Sequence, residues 1–175
     1  MRSPDAEARR ARQHYQAIVD VHLLLMRDGQ VLLGRRANTG YGDGAYEPPS
    51  SRLAERETIV EAGIRVAAAQ PGIALDPSHV SLAHVMHDVS GAGRIAFFLT
   101  ADGWDGEPGG GTDTRGTDTR GTQGHGTEGH SAASYSDFDW FDIDDLPANM
   151  IDRARVAVRN YVAGVGFSTY PAFGS

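Results

Sequence analysis

Two pairs of residues have the types and spacing that general acid–base chemistry needs. Asp20 and His22 are two positions apart in an apolar, branched-rich run, so strand alternation places both side chains on one face. Alternation also places His84 and Asp88 on one face of a later run, together with Leu82. A carboxylate beside an imidazole can exchange a proton with a bound molecule. The same spacing also suits a buried, hydrogen-bonded structural pair, or an edge or surface position for the second pair.

The glycine-rich segment from Asn38 to Ser51 supplies further polar and aromatic groups. Its glycines and paired prolines break helix and strand periodicity, which predicts a surface loop of the kind that often carries binding residues. The guanidinium groups of nearby arginines can bind phosphate or carboxylate through two hydrogen bonds, although surface solubility also explains the arginines. Turn chemistry also explains the glycine and aspartate residues of the loop. The candidate catalytic residues are therefore Asp20, His22, Glu47, His84 and Asp88. The candidate ligand-binding residues are Arg35, Tyr41, Tyr46 and Arg52.

The chain contains no cysteine, which excludes disulfides, thiol catalysis and cysteine-based zinc sites. A metal ion would need histidine or carboxylate ligands. Residues 111–130 form repeated five-residue units, GTDTR, GTDTR, GTQGH and GTEGH, which include such groups. Units this short and this rich in Gly and Thr predict a flexible insertion over residues 105–134. The entropy cost of ordering that insertion disfavours a specific metal site in it.

Length and composition indicate one domain with a sizeable core, since the chain has 175 residues, 40% of them hydrophobic. The net charge of −7 argues against binding to nucleic-acid backbone, which requires clustered Lys and Arg. We therefore expect a small-molecule ligand, including a phosphorylated one, or a protein partner. Residues 1–13 lack the apolar core of a signal peptide or membrane anchor, which predicts a soluble, cytoplasmic protein.

The pattern of apolar residues predicts the elements that would position these groups. Two runs between residues 17 and 35 flank Asp28-Gly29 and predict a hairpin. Helical spacing predicts helices over residues 55–70 and 150–165, and a second hairpin is expected at residues 79–101, with a further strand and turn at 135–146. The expected organisation is a helical extension at residues 1–16, a domain at 17–167 and a tail at 168–175.

Residues 51–73 resemble the signature motif of the Nudix hydrolase family. That motif is Gly, five residues, Glu, seven residues, then Arg-Glu-apolar-any-Glu-Glu-any-Gly-apolar, and Glu57, Arg65, Gly72 and Ile73 match it. The stretches at residues 35–44 and 140–149 also resemble segments of bacterial Nudix proteins. The resemblance implies an α/β (α+β) fold, a Nudix-like mixed β-sheet sandwiched between helices. It also implies that Glu57, Arg65 and Gly72 form the structural motif, with Arg65 paired to Glu57.

The departures from the motif fall on its metal-binding glutamates. Val66, Ala69 and Gln70 occupy those positions, and Ser50-Ser51 replace the entering glycines. Carboxylates at positions i, i+3 and i+4 share one helical face and converge on a hard cation, whereas valine, alanine and glutamine cannot. We therefore predict that magnesium-dependent diphosphate hydrolysis is lost, that no metal cofactor is held, and that the protein binds a small molecule or transforms it by metal-free acid–base chemistry.

Two alternatives remain open at this point. In the first, the protein is an active hydrolase of a nucleoside diphosphate derivative with a displaced magnesium site, using scattered acids such as Glu57 or Glu128. In the second, it is an interaction or regulatory module that uses the repeats at residues 111–130 or an exposed helix face.

Overall fold

The computed structural model describes residues 15–91, 93–109 and 134–171. The predicted N-terminal helical extension lies outside these residues except for its last two, and the repeats at 111–130 lie outside them entirely. In chain order the elements are β1 (Ile18–Leu23), β2 (Met26–Arg27), β3 (Gln30–Arg36), β4 (Tyr46–Glu47), β5 (Ser50–Arg52), α1 (Ile59–Ala69), a 3-10 turn (Pro77–His79), β6 (Val80–Asp88), β7 (Arg94–Ala101), β8 (Tyr135–Asp142), α2 (Asp152–Val162) and β9 (Phe167–Tyr170).

The larger sheet is mixed and has the strand order β5-β1-β7-β6-β9. Strand β1 runs parallel to β7 and antiparallel to β5, while β6 runs antiparallel to β7 and parallel to β9. The predicted second hairpin is thus confirmed as β6–β7. Strand β9 (Phe167–Tyr170) pairs with β6, so the larger sheet continues past residue 167, where the sequence-based prediction ended the domain.

The smaller sheet corrects the prediction for the first hairpin. Strand β3 pairs with β2, β4 and β8, whereas β1 belongs to the larger sheet. The turn itself is where expected, since Asp28 and Gly29 have φ values of 51° and 79° between paired Arg27 and Gln30. Between β1 and β2 the chain passes through the core, where Leu23–Leu25 are fully buried, and it enters the smaller sheet at Met26.

The two helices cover opposite faces of the larger sheet. Val66 of α1 packs in a cluster with Leu99 of β7, whereas Ala154 of α2 packs in a second cluster with Phe98, the neighbour of Leu99. Adjacent strand residues point to opposite faces, so the sheet lies between the helices. This arrangement confirms the predicted mixed sheet sandwiched between helices. Within the described ranges, no helix has the length and apolar character needed to cross a membrane.

Helix α1 begins later than the apolar periodicity suggested. Thr58 is its N-cap and forms a capping box with Glu61, so residues 55–57 lie in a turn before the helix. At the other end, the N–H groups of Gly72 and Ile73 both bond to the carbonyl of Ala67, and Gly72 has a φ of 76°. Glycine suits this position because a positive φ strains residues that carry a Cβ. Glu57, immediately before the N-cap Thr58, lies in the loop that enters the helix.

Candidate functional site

A cavity of about 400 Å³ opens where strands of both sheets meet the first turn of α2. Its walls come from β1, β3, β4, β5, the loop at residues 39–41, the end of β6 with the turn that follows, the start of β7, and α2. The lining residues are Asp20, His22, Arg36, Thr39, Tyr41, Glu47, Ser50, Ser51, Arg52, Asp88, Ser90, Gly91, Arg94 and Arg153. Most of them are charged or can form hydrogen bonds, so the cavity suits a polar ligand.

Glu47 is the most deeply buried carboxylate of the cavity, with 1% of the residue exposed. Its Oε1 forms an ion pair with the Arg36 guanidinium and lies 3.2 Å from the Tyr135 hydroxyl. Its Oε2 has no hydrogen-bond partner among the described residues and lies 4.0 Å from a guanidinium nitrogen of Arg153. One carboxylate oxygen is thus held by Arg36 and Tyr135, while the other is buried near Arg153 without a hydrogen bond among the described residues.

Tyr135 donates a hydrogen bond to Glu47 and helps to fix its carboxylate. Its hydroxyl lies 3.2 Å from Glu47 Oε1, from the Pro48 carbonyl oxygen and from Ser50 Oγ. Burial and the negative charge of Glu47 raise the pKa of Tyr135 well above its usual value, so the hydroxyl stays protonated and donates. The ring can come this close because residue 34 is glycine, whose added Cβ would lie 2.5 Å from the Tyr135 ring.

His22 forms part of the same wall and stacks on Phe98, with ring centroids 4.6 Å apart. Its Nδ1 is buried and has no hydrogen-bond partner within the part of the chain that the structure describes. Burial lowers the pKa of His22 below 6.5, against the opposing effect of nearby Glu47 and Asp20. The imidazole is therefore neutral near pH 7, and either donates or accepts at Nδ1 according to its tautomer.

The two remaining carboxylates in the cavity already have partners. Arg94 donates to Asp20 Oδ2 at 2.6 Å, across the parallel pairing of β1 with β7. Asp88 accepts from the backbone N–H of Ser90 at 2.9 Å and also from its hydroxyl. Asp20 and Asp88 shape the rim, but their protein partners make them weaker candidates for proton transfer than Glu47 and His22.

Four arginines line the cavity of a chain that contains no lysine and has a net charge of −7. Arg36 and Arg94 are paired with Glu47 and Asp20. Arg153 forms a longer ion pair with Glu47, at 4.0 Å from Oε2, and Arg52 has no ion-pair partner within the described ranges. Tyr41 lies beside this group, with its ring centroid 5.5 Å from the Arg36 guanidinium and 6.0 Å from that of Arg153. Arg52 and Arg153 are therefore the least tightly paired cations of the cavity.

Six of the predicted catalytic and ligand-binding residues line the cavity, and three do not. Those present are Asp20, His22, Tyr41, Glu47, Arg52 and Asp88. His84 is instead fully buried beside β9, the neighbouring strand, where its ring nitrogens bond to the Val165 carbonyl at 2.7 Å and to Ser168 Oγ at 2.8 Å. It cannot flank a ligand with Asp88, because four strand residues separate them by about 13 Å. Leu82 also differs from expectation: a bulge between Leu82 and His84 breaks the alternation, and Leu82 is exposed.

Arg35 and Tyr46 are also outside the cavity. The Arg35 side chain is exposed, and its backbone pairs with that of Tyr46 between β3 and β4. The Tyr46 ring packs on Phe141 at 4.8 Å and joins the core cluster beside α2. Neither residue lines this cavity, so their predicted contact with a ligand has no support from its geometry.

Several lining residues were absent from the sequence-based candidates. Arg94 and Arg153 come from β7 and α2, and no local pattern joins them to Asp20 or Glu47. Arg36 follows Arg35 in β3, so strand alternation directs the two side chains to opposite faces. Because β3 is buried on both faces, the sequence pattern did not show which of the two arginines points into the cavity. Tyr135 lies beyond the repeats, so only the pairing of β8 with β3 reveals its contact with Glu47.

The loop–helix–loop at residues 51–73 keeps its expected ion pair. Arg65 donates to both carboxylate oxygens of Glu57 at 2.6 and 2.8 Å, and also to the Arg52 carbonyl at 3.2 Å. Glu57 in turn accepts from the Ala54 N–H at 2.9 Å. The pair therefore ties the entering loop to the helix, as the structural interpretation of Glu57 and Arg65 predicted.

The helix positions that would carry metal ligands do not fit a magnesium site. Val66 is buried in the core, Ala69 is exposed, and the Gln70 amide bonds to the backbone of Ser50. Magnesium prefers an octahedral set of oxygen ligands that includes carboxylates. Among the described residues, no group of three or more His, Asp or Glu is placed to hold a metal ion.

No family model and no curated protein matches the sequence, but many solved structures resemble the fold. The MutT NUDIX hydrolase from Burkholderia pseudomallei has 22% identity and a TM-score of 0.60, over 82% of this chain and 97% of that one. The ORF135 protein of E. coli has 16% identity and a TM-score of 0.61, over 85% and 90%. An ADP-ribose pyrophosphatase from Streptococcus suis has 11% identity and a TM-score of 0.51, over 88% and 98%. The chain therefore has the fold of the Nudix hydrolases.

Proposed function

We propose that this Nudix-fold protein binds a small anionic molecule without magnesium, and that Glu47 and His22 are the groups that exchange hydrogen bonds or a proton with it. One observation carries the proposal: Glu47 Oε2 and His22 Nδ1 are buried without hydrogen-bond partners among the described residues, in the wall of one arginine-lined cavity. A buried polar group without a partner costs about 1–3 kcal/mol. A ligand that bonds to both atoms would recover that cost.

The charges of the cavity support an anionic ligand. Its four arginines face three carboxylates, of which Glu47 and Asp20 are paired with Arg36 and Arg94. Arg52 has no ion-pair partner among the described residues, and Arg153 forms only a long ion pair with Glu47 Oε2, at 4.0 Å, so these two are the cations most open to a ligand. Guanidinium groups bind carboxylate and phosphate through two parallel hydrogen bonds, so either anion suits these positions.

The contacts of Glu47 support a role in proton transfer as well as in binding. Arg36 and Tyr135 fix its Oε1, which orients Oε2 toward the ligand. His22, neutral because burial lowers its pKa, offers a second group that can donate or accept. A ligand held by the arginines would thus meet a fixed carboxylate and a neutral imidazole without a metal ion.

The test is calorimetric titration of inorganic phosphate and pyrophosphate in the presence of EDTA and, separately, of magnesium. We expect the same affinity in both buffers, and a loss of about tenfold or more in Arg153→Gln and Arg52→Gln, since a charge-assisted bond contributes about 1.5–3 kcal/mol. Arg35→Gln is the matched control, because that side chain is exposed and outside the cavity. Binding that requires magnesium, or an equal loss in the control, would contradict the proposal.

A second candidate is magnesium-dependent hydrolysis of a nucleoside diphosphate derivative with a displaced metal site. It is favoured by the fold shared with structures that include an ADP-ribose pyrophosphatase. Phosphate or mononucleotide released from ADP-ribose in the presence of magnesium, and lost in Glu57→Gln, would support it. Failure to release product across a panel of nucleotides would leave metal-free binding as the better account.

A further inference from the structure

The larger sheet has an apolar face that helix α1 covers only in part. The helix packs over β1, where Val21 belongs to the same core cluster as Val66. The strand register continues from Val21 outward through Phe97 of β7 and Val85 of β6 to Phe167 of β9. Paired residues of neighbouring strands point to the same face of a sheet, so these side chains form one row. Phe97, Val85 and Phe167 belong to neither core cluster of the described residues, so the helix covers only the β1 end of the row.

The exposure of the side chains in this row shows that the face is open. Phe167 is 61% exposed, and Leu82, which continues the same face along β6, is 58% exposed. Phe97 and Val85 are half-buried, whereas the alternate residues of both strands, which face α2, are buried. A contiguous apolar patch of this kind is a surface on which another segment or molecule packs.

The N-terminal segment, residues 1–14, joins the domain at the border of this patch. Tyr15 packs edge-on against His87, with ring centroids 5.9 Å apart, and its hydroxyl lies 3.2 Å from His87 Nε2. His87 is two residues from Val85, so strand alternation places it on the same face. The patch extends about 17 Å along β6 from Leu82 to His87. Fourteen residues are long enough to cross it, since even as a helix they would extend about 21 Å.

Residues 1–14 are opposite in charge to the rest of the chain. They contain four arginines, one aspartate and one glutamate, a net charge of +2. Since the whole chain carries −7, residues 15–175 carry −9. Arginine also suits an apolar face, because its aliphatic stem covers apolar surface and its guanidinium group stacks on aromatic rings.

We propose that residues 1–14 bind this face of the same chain, with their arginine stems and alanine side chains over Phe167, Val85 and Leu82. Tyr15 tethers the segment beside the patch, which gives it a high effective concentration there. Charge attraction favours the contact further. A second copy has neither advantage, because it is not tethered and it carries the same net charge of −7.

The test uses a nitroxide spin label, which can be attached at one position because the chain contains no cysteine. In the full chain with Ala8→Cys, a nitroxide at position 8 should broaden the backbone amide NMR signals of Val85 and Phe167. The signal of Asp139, in β8 of the smaller sheet, should stay sharp. Phe167→Ser should reduce the broadening by about half or more, because the apolar contact is lost. Val162→Ser is the matched control, since Val162 is 54% exposed on α2, which covers the opposite face, and it should leave the broadening unchanged.

A mixed sample separates the segment from a second copy as the occupant. It combines isotope-labelled protein without nitroxide and nitroxide-carrying protein without the isotope, so only contacts between copies broaden its signals. Broadening in the singly labelled chain and none in the mixture supports the proposal. Equal broadening in the mixture would assign the face to a second copy and overturn the proposal. Sharp Val85 and Phe167 signals in the nitroxide-carrying chain, or broadening that falls equally in Phe167→Ser and Val162→Ser, would also overturn it.

Discussion

The side-chain amide of Gln70 bonds to the backbone of Ser50 in both directions. The Ser50 N–H donates to Gln70 Oε1 at 3.0 Å, and Gln70 Nε2 donates to the Ser50 carbonyl at 2.7 Å. The amide thus acts like a residue of a neighbouring strand and joins the end of α1 to β5. Glutamine can do this because it carries a donor and an acceptor, whereas a carboxylate carries acceptors alone.

Gln70→Glu should therefore destabilise the fold by about 1–3 kcal/mol, because the ionised side chain cannot donate to the Ser50 carbonyl. Urea unfolding followed by circular dichroism measures the change. Ala69→Glu is the control, since that neighbouring position is exposed and should change stability by less than about 0.5 kcal/mol. Equal stabilities of the two variants, or a Gln70→Glu protein whose Tm rises on addition of magnesium, would contradict the structural role of this residue.

The second prediction concerns Arg65, which holds Glu57 through two hydrogen bonds and also reaches the Arg52 carbonyl. The arginine side chain is 42% exposed and that of Glu57 is 14% exposed, so solvent screens part of the attraction. We expect Arg65→Gln to lower the free energy of unfolding by about 1–2 kcal/mol, because a bidentate ion pair stabilises more than a simple surface pair does.

Arg56→Gln provides the comparison for Arg65. Arg56 lies 3.9 Å from Glu55, and both side chains are nearly fully exposed, so its loss should be close to neutral. A double-mutant cycle with Glu57→Gln then isolates the pair energy. A coupling energy near zero would show that Arg65 and Glu57 do not stabilise the entering loop through each other.

Sequence reasoning succeeded where local chemistry decides structure. The Asp28-Gly29 turn and the helix around Val66 follow from short-range patterns that the structure reproduces, and the pairing of Glu57 with Arg65, which the family resemblance implied, is also present. The alternation that placed Asp20 and His22 together also held, since both line the cavity. These cases involve residues close to each other in sequence.

The errors arise where long-range pairing decides instead. Leu23–Leu25 are buried whichever sheet they join, so the pattern could not show that β1 pairs with β7. The bulge beside Leu82 and the burial of His84 under β9 depend on partners from other elements. Arg94 and Arg153 also reach the cavity through long-range pairing and packing, so the sequence could not place these two of its four arginines there.

The third prediction follows from the burial of His22. Because its pKa is lowered in the folded state, the unfolded chain binds the proton more tightly, and protonation favours unfolding. The contribution of His22 to stability is therefore complete above pH 6.5, the usual value, and falls as the pH drops below it toward the folded-state pKa. His22→Gln should flatten the dependence of unfolding free energy on pH in this window.

NMR titration of the His22 ring measures the same quantity directly. The midpoint should lie below 6.5 in the free protein. Urea unfolding from pH 5 to pH 7.5, compared between the unaltered protein and His22→Gln, gives the stability effect. A midpoint at or above the usual value would mean that Glu47 and Asp20 outweigh burial, and it would remove the reason for a neutral imidazole in the cavity.

The last prediction concerns Gly34, which gives Tyr135 the space to reach Glu47. A Cβ at position 34 would lie 2.5 Å from the Tyr135 ring and 2.6 Å from the Phe138 ring, closer than real contacts allow. Gly34→Ala should therefore displace the tyrosine and destabilise the fold by about 1–3 kcal/mol, as overpacking does. Gly166→Ala is the control, since its Cβ would meet no atom within 4 Å.

If Tyr135 orients Glu47 for binding, Gly34→Ala should also weaken phosphate binding, measured by calorimetry under conditions where the variant is folded, while Gly166→Ala leaves it unchanged. If Gly34→Ala is destabilised but binds phosphate with unaltered affinity, Tyr135 contributes to packing and not to ligand binding.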